Sequence, residues 1–268
     1  MRQIPSIGYG TWPLAGKAAH DGVVMACDVG FRHIDTAQLY GNEPEVGRAI
    51  KSTGLRREDL FIVTKVAPSN LLPGKFIASV ERSLSDLGLA SVDILLIHWP
   101  PKDMALFDPA IDLLVEAHAL GMAREIGVSN FSPKMLKRAA ERSPVPLATN
   151  QVEFHPMIDQ GPLQDEAGRL GITLTAYAAL GRCACLGHPT IIEIARAHGI
   201  SEAQVIFAWI IGQDVAALTQ TAKRRHAEES FKSQYLELTA EEMAAISALR
   251  AQNRRIAAPA NLVPGWDF

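Results

Sequence analysis

Asp35, Tyr40, Asn42 and Glu43 fall within nine residues, directly after an apolar run, in the stretch GFRHIDTAQLYGNEPEVG from Gly30 to Gly47. A carboxylate and a phenol this close to a strand end can handle a proton if a cation joins them. Further along, Lys65 closes the apolar run FIVTK and His98 closes VDILLIH. Each of these residues alone has an ordinary structural use, as a helix cap, a surface charge or a satisfied core imidazole. Together they form a connected acid–base set. Lys65 pairs with Asp35, its charge lowers the Tyr40 hydroxyl from a reference of about 10 toward working pH, and His98 holds a substrate oxygen beside it. A phenol acid next to a carbonyl oxygen suits reduction, because hydride addition leaves an alkoxide that must be protonated.

Such a set needs a scaffold that gathers strand ends. Apolar runs at 7–11, 31–35, 61–65, 92–98, 125–130, 149–155, 173–177 and 216–221 read as eight strands. Amphipathic stretches such as 73–89 and 132–143 separate them, the second opening with Ser132 as N-cap and Pro133 at the first helical position. This alternation predicts βα units and a parallel sheet. No linker or compositional break divides the chain, so the expectation is an α/β fold, a single (β/α)8 barrel domain over residues 1–268. In such a barrel all strands point the same way. Asp35, Lys65, His98, Asn130, Tyr177 and Thr221 end their strands, and Gln151 lies inside its own, so one rim collects them.

Composition narrows the rest. The chain has 268 residues, 48% hydrophobic and 21% charged, enough to bury a substantial core. A net charge of −3 gives no basic surplus of the kind that nucleic acid or an anionic membrane selects. Pro and Gly interrupt the N-terminal MRQIPSIGYGTWPLAG where a signal peptide needs an apolar run, and the expected location is cytoplasmic. Cys27, Cys183 and Cys185 are an odd number and read as free thiols. Cys-x-Cys without a second pair is a poor zinc site, so no metal is expected. The hydride needed for reduction does not come from a Rossmann domain, because GYGTW runs into tryptophan and proline instead of opening a helix.

GFRHIDTAQLYGNEPEVG resembles the first signature of the aldo-keto reductases at every position, and REIGVSNF (124–131) resembles the second. The likeness extends from GYGTW to PGWD at 264–267. It implies a barrel that binds an extended nicotinamide dinucleotide at its C-terminal rim. Carried over residue by residue, the family's catalytic tetrad falls on Asp35, Tyr40, Lys65 and His98. The nicotinamide carboxamide contacts fall on Ser129, Asn130 and Gln151, and the tyrosine stacked on the ring on Tyr177. Thr11, Trp12, Asp35, Leu180, Gly181 and Arg182 are further cofactor positions. Tyr40 and His98 face the substrate, with Trp12 and Trp99 as pocket walls and Trp266 in a tail that closes over it.

Two departures accompany the likeness. Only a few residues precede IGYGT, so the first strand of the family's barrel-closing hairpin is expected to be missing. The third signature, which grips the adenosine end and its 2′-phosphate, is altered in LTQTAKRRHAEES. Thr219 and Gln220 replace Pro and Lys, Thr221 follows, His226 takes the Arg position, and Glu229 precedes Ser230 in place of Asn. Lys223, with Arg224 and Arg225, supplies replacement charge for the phosphate. NADPH (bound NADP) is the expected cofactor, with NADH left open by the altered motif. The expectation is an NADPH-dependent, monomeric reductase of aldehydes or ketones with a small-molecule carbonyl substrate and no nucleic-acid or membrane partner. Two alternatives are a cofactor-sensing binding module of the same fold and a lyase forming a Schiff base on Lys65.

Overall fold

A computed structural model describes residues 3–257. Its eight strands are β1 (Ile7–Gly10), β2 (His33–Asp35), β3 (Phe61–Val66), β4 (Val92–Ile97), β5 (Ala123–Ser129), β6 (Leu147–Glu153), β7 (Thr173–Tyr177) and β8 (Ala216–Thr219). They pair in sequence order, all parallel, and β1 closes on β8 through Ile7 opposite Ala217 and Tyr9 opposite Thr219. The strands expected from the sequence are all present, each within a few residues of its expected bounds. Apolar runs announce them because strands covered on both faces have no solvent side on which to alternate.

The described helices are α1 (Gly16–Val29), α2 (Glu43–Ser52), α3 (Phe76–Leu87), α4 (Phe107–Ala119), α5 (Pro133–Arg142), α6 (Gly161–Leu170), α7 (Pro189–His198), α8 (Glu202–Ile211), α9 (Arg224–Lys232) and α10 (Ala240–Ser247). Ser132 caps α5 by accepting the Met135 N–H at 3.4 Å, with Pro133 at the first position, as the sequence indicates. Gly88 ends α3 in the left-handed conformation (φ 66°), which spares a side chain the Cβ clash found there. Among the described residues no helix is long and apolar enough to cross a membrane.

Two apolar cores hold the barrel. The larger lies between sheet and helices and includes Phe31, Leu60, Phe76, Phe107, Phe131 and Ile206. The smaller fills the inside of the barrel with Phe61, Val63, Ile94, Leu96 and Ala148. No strand precedes β1 among the described residues, and Ile4, partly buried, packs against this inner cluster instead. Gly127 on β5 is forced by the close approach of β6, since a Cβ there would stand 2.5 Å from the Thr149 carbonyl oxygen. The site is positioned one layer above the inner cluster, where inward-facing residues turn from apolar to polar. On β3 the sequence Phe61, Val63, Lys65 makes that change along one strand face.

Candidate active site

Lys65 is fully buried on β3, and its ammonium reaches three oxygens: Asp35 Oδ1 on β2 at 2.5 Å, the Thr36 carbonyl at 2.9 Å and the Tyr40 hydroxyl at 3.4 Å. Gln151 on β6 donates its amide to the other Asp35 oxygen at 2.7 Å. A buried ion pair is tolerable only when the remaining lone pairs and protons are satisfied, and here they are. The His98 ring, just past β4, meets the Tyr40 ring edge-on at 5.5 Å. The structure therefore brings Asp35, Tyr40, Lys65 and His98 together at one end of the barrel. The Lys65 nitrogen is fully buried and bonded to three oxygens, which gives no geometric support to a Schiff base there.

The electrostatics differ from the sequence expectation at Tyr40. Burial first, and the Asp35 charge second, push the phenol well above its usual value, where Lys65 was expected to lower it. Asp35 lies nearer to the Lys65 ammonium than Tyr40 does, so the carboxylate offsets part of the field that would reach the phenol. Burial lowers the Lys65 ammonium, against the opposing pull of Asp35. Burial and then the Lys65 charge hold His98 well below the ordinary imidazole value, so the ring is neutral. Tyr40 thus stays protonated and His98 keeps one N–H to donate.

A second network extends along the rim. Ser129 Oγ donates to the Gln151 carbonyl at 2.8 Å, and Asn130 Nδ2 donates to the His98 carbonyl at 2.9 Å. The Tyr177 hydroxyl donates to Asn130 Oδ1 at 2.7 Å, and burial raises that phenol as well. Asn130 adopts a left-handed backbone (φ 65°), one of the few side-chain-bearing residues that tolerates it. His98 Nδ1 and Thr11 Oγ1 are buried without a hydrogen-bond partner. His98 lines the open cleft, and an orphaned polar atom there fits a polar ligand such as a nicotinamide dinucleotide, whose polar groups can supply the missing partner.

The cleft itself measures about 410 Å³. Trp12, Asp35, Tyr40, His98, Trp99, Ser129, Asn130, Gln151, Tyr177, Leu180, Arg182, Thr219 and Gln220 line it, all of them singled out from the sequence. Thr11, Gly181, Thr221, Lys223, His226, Glu229 and Ser230 do not line it, and the last five lie along the turn into α9 and on α9 itself. Ser230 is buried and hydrogen-bonded to Thr219 Oγ1 at 3.1 Å. Arg224 pairs with Asp28 and Glu228, and Arg225 with Glu229. Trp266 lies outside the described residues.

Sequence reasoning missed Leu39, Cys183 and Ala257, which also line the cleft. Ala257 is brought there by a buried carboxylate far away in the chain. Glu153, at the end of β6, accepts the backbone N–H groups of Ile256 at 2.5 Å and Ala257 at 3.0 Å. It also pairs with buried His155 at 3.0 Å. The Ala257 carbonyl in turn accepts Arg182, whose guanidinium lies 5.3 Å over the Trp12 ring. No periodicity marks these residues; the one available signal was a Glu with no solvent-facing position at a strand end.

The comparisons with known proteins agree with this geometry. The model of the Aldo/keto reductase family matches residues 6–251. Methylglyoxal reductase DkgB of Escherichia coli O157:H7 is 39% identical over 266 residues, 98% of this chain and 99% of that protein. An aldo-keto reductase of Mycobacterium sp. (strain KMS) is 34% identical over 94% of this chain and 91% of its own. Among solved structures, a putative 2,5-diketo-D-gluconic acid reductase B superposes with a TM-score of 0.94 at 42% identity, covering 99% of this chain and 94% of the other. With its closed parallel barrel, its buried Asp–Lys pair and relatives that are reductases over nearly their whole length, the chain belongs to the aldo/keto reductase family and is an oxidoreductase of carbonyl compounds.

Proposed function

We propose that this protein reduces small aldehydes and ketones with NADPH, and that Tyr40 donates the proton. The observation that carries the proposal is the Tyr40 hydroxyl standing 3.4 Å from the Lys65 ammonium, beside a neutral His98, at an open cleft. When bound, the nicotinamide supplies the hydride. His98 donates its N–H to the substrate oxygen and holds it next to the phenol. Tyr40 passes its proton to that oxygen as negative charge builds there, and Lys65 stabilises the phenolate left behind. Asp35 opposes the lowering of the Lys65 ammonium that burial causes.

Ser129, Asn130 and Gln151 are assigned to the nicotinamide carboxamide. Tyr177 is assigned to one face of the ring, so that the other faces the substrate. Trp12, Trp99 and Leu39 give the substrate side an apolar wall. The relatives' names point to small dicarbonyl compounds, and methylglyoxal and 2,5-diketogluconate are the first substrates to try. NADPH is favoured by Lys223, exposed at the start of α9, with Arg225 as a second cation once it releases Glu229.

The test is NADPH oxidation with methylglyoxal by the wild type and by Tyr40→Phe. General-acid catalysis is worth roughly 10²–10⁴-fold, so kcat should fall by that factor while cofactor affinity holds. Wild-type turnover in Tyr40→Phe removes it from the acid role.

A further inference from the structure

Tyr40 is carried by no strand. It ends a single 3-10 turn, Gln38–Tyr40, between β2 and α2. Three residues of this kind hold few bonds of their own, so something outside the turn must fix the phenol. On the side of β1, Asn42 does part of this, donating to the carbonyls of Thr11 at 3.2 Å and Leu14 at 2.8 Å. On the opposite side the whole amide of Gln38 is engaged. Its Oε1 accepts the Ala67 N–H at 2.9 Å, just beyond β3, and Asn70 Nδ2 at 2.8 Å. Its Nε2 reaches the Ser79 carbonyl and Oγ, both at 3.1 Å, and Ser83 Oγ at 3.2 Å, all on α3.

The connection then returns to the catalytic strand. Ser83 donates to Glu43 Oε2 at 3.0 Å, and Glu43 Oε1 accepts Thr64 Oγ1 at 2.5 Å, one residue before Lys65. Gln38 and Tyr40 are two apart in a helix with three residues per turn, so their side chains leave it about 120° apart. The first is directed outward to α3 and the second into the cleft. We propose that Gln38 is a positioning residue that sets the placement of the Tyr40 hydroxyl relative to the Lys65 ammonium. The proposal rests on the acid role of Tyr40.

A purely structural role is separable here. Gln38, Glu43, Asn70, Ser79 and Ser83 border a second, polar cleft of about 330 Å³. Water can therefore solvate the partners that a Gln38 substitution releases, and folding stability suffers little. The constraint on the turn is lost all the same, because mobile water does not tie two elements together.

The experiment compares Gln38→Met and Tyr40→Phe with the wild type in the full chain. It measures kcat and KM for methylglyoxal, cofactor Kd, Tm and the solvent deuterium isotope effect on kcat. Small misplacements of a reacting group cost up to about 10²-fold, so Gln38→Met should lose roughly tenfold in kcat. Its solvent isotope effect should rise, with KM, cofactor Kd and Tm close to wild type. Loss of turnover in Tyr40→Phe with unchanged kcat and isotope effect in Gln38→Met overturns this proposal alone. Full turnover in Tyr40→Phe overturns the acid role, and the positioning role with it. If Gln38→Met folds poorly, Asn70→Ala cuts the same amide from its other side. It should lower kcat severalfold with the same isotope signature, and no change in either quantity overturns the proposal.

Discussion

The floor of the cleft and the turn into α9 both carry charge, but they hold it differently. On the floor, Asp35 and Lys65 are 2% and 0% exposed and locked to each other and to Gln151. At the start of α9 the Arg224 and Arg225 side chains are 52% and 83% exposed and pair with whichever carboxylate stands beside them. A buried pair cannot lose one partner without stranding the other, whereas exposed pairs exchange freely with water and salt. The floor has therefore little freedom of sequence. The start of α9 can lose the Pro, Lys, Arg and Asn of the family's third signature and still keep exposed cations.

Lys65→Met breaks the comparison at its strongest point. It removes the cation that serves Tyr40 and should cost at least about 10²-fold in kcat. Asp35 is left buried with Gln151 as its remaining side-chain partner, at about 3 kcal/mol, which a barrel of this size survives with a lower Tm. Rates and melts measured side by side decide it. Activity that persists while Tm collapses would make the pair structural.

Deeper in the barrel, His33 is 1% exposed and packs edge-on to Phe61 at 5.2 Å, with no side-chain partner for either ring nitrogen. Burial lowers its pKa from 6.5 to about 4, so the folded state keeps it neutral. The unfolded chain takes up a proton below about 6.5, so stability falls as pH drops from there toward 4, by about 3 kcal/mol in total. His33→Asn should flatten that part of the stability–pH curve, measured by urea unfolding at several pH values. A curve with the wild-type slope would assign the acid sensitivity elsewhere.

The smallest effects belong to the exposed end. Lys223→Ala should raise the KM for NADPH about tenfold and leave NADH unchanged, since only the 2′-phosphate separates the two. Arg225→Ala should do less, because Glu229 already engages that side chain. Both effects should shrink with added salt as the contact is screened. Equal use of both cofactors by the wild type, with no change in either variant, would leave these residues as solvated surface.

How much of this was visible in the sequence follows the same division. The strands could be read as runs, and Asp35, Lys65 and His98 as polar residues closing those runs, because both are set by the barrel's in–out alternation; Tyr40 sits on a turn and was read from its closeness in sequence to Asp35. Ala257 could not, since Glu153 draws it to the rim from 104 residues away. Leu39 and Cys183 come from turns whose direction no periodicity encodes. The direction of the Tyr40 shift was misread because its larger cause is burial of the phenol, which is set by the packing of a turn that no periodicity encodes.

Trp12 stands half exposed at the mouth of the cleft with a guanidinium over its ring, while Trp209 is buried with its indole N–H bonded to Ser247 at 3.0 Å. Two of the protein's four tryptophans thus serve as its own optical labels, one indole at the entrance and one in the interior. Light emitted by the first depends on what enters the cleft and on whether Arg182 stays stacked. Emission from the second follows the folding of the barrel, while Trp99, which also lines the cleft, adds to the signal from the entrance.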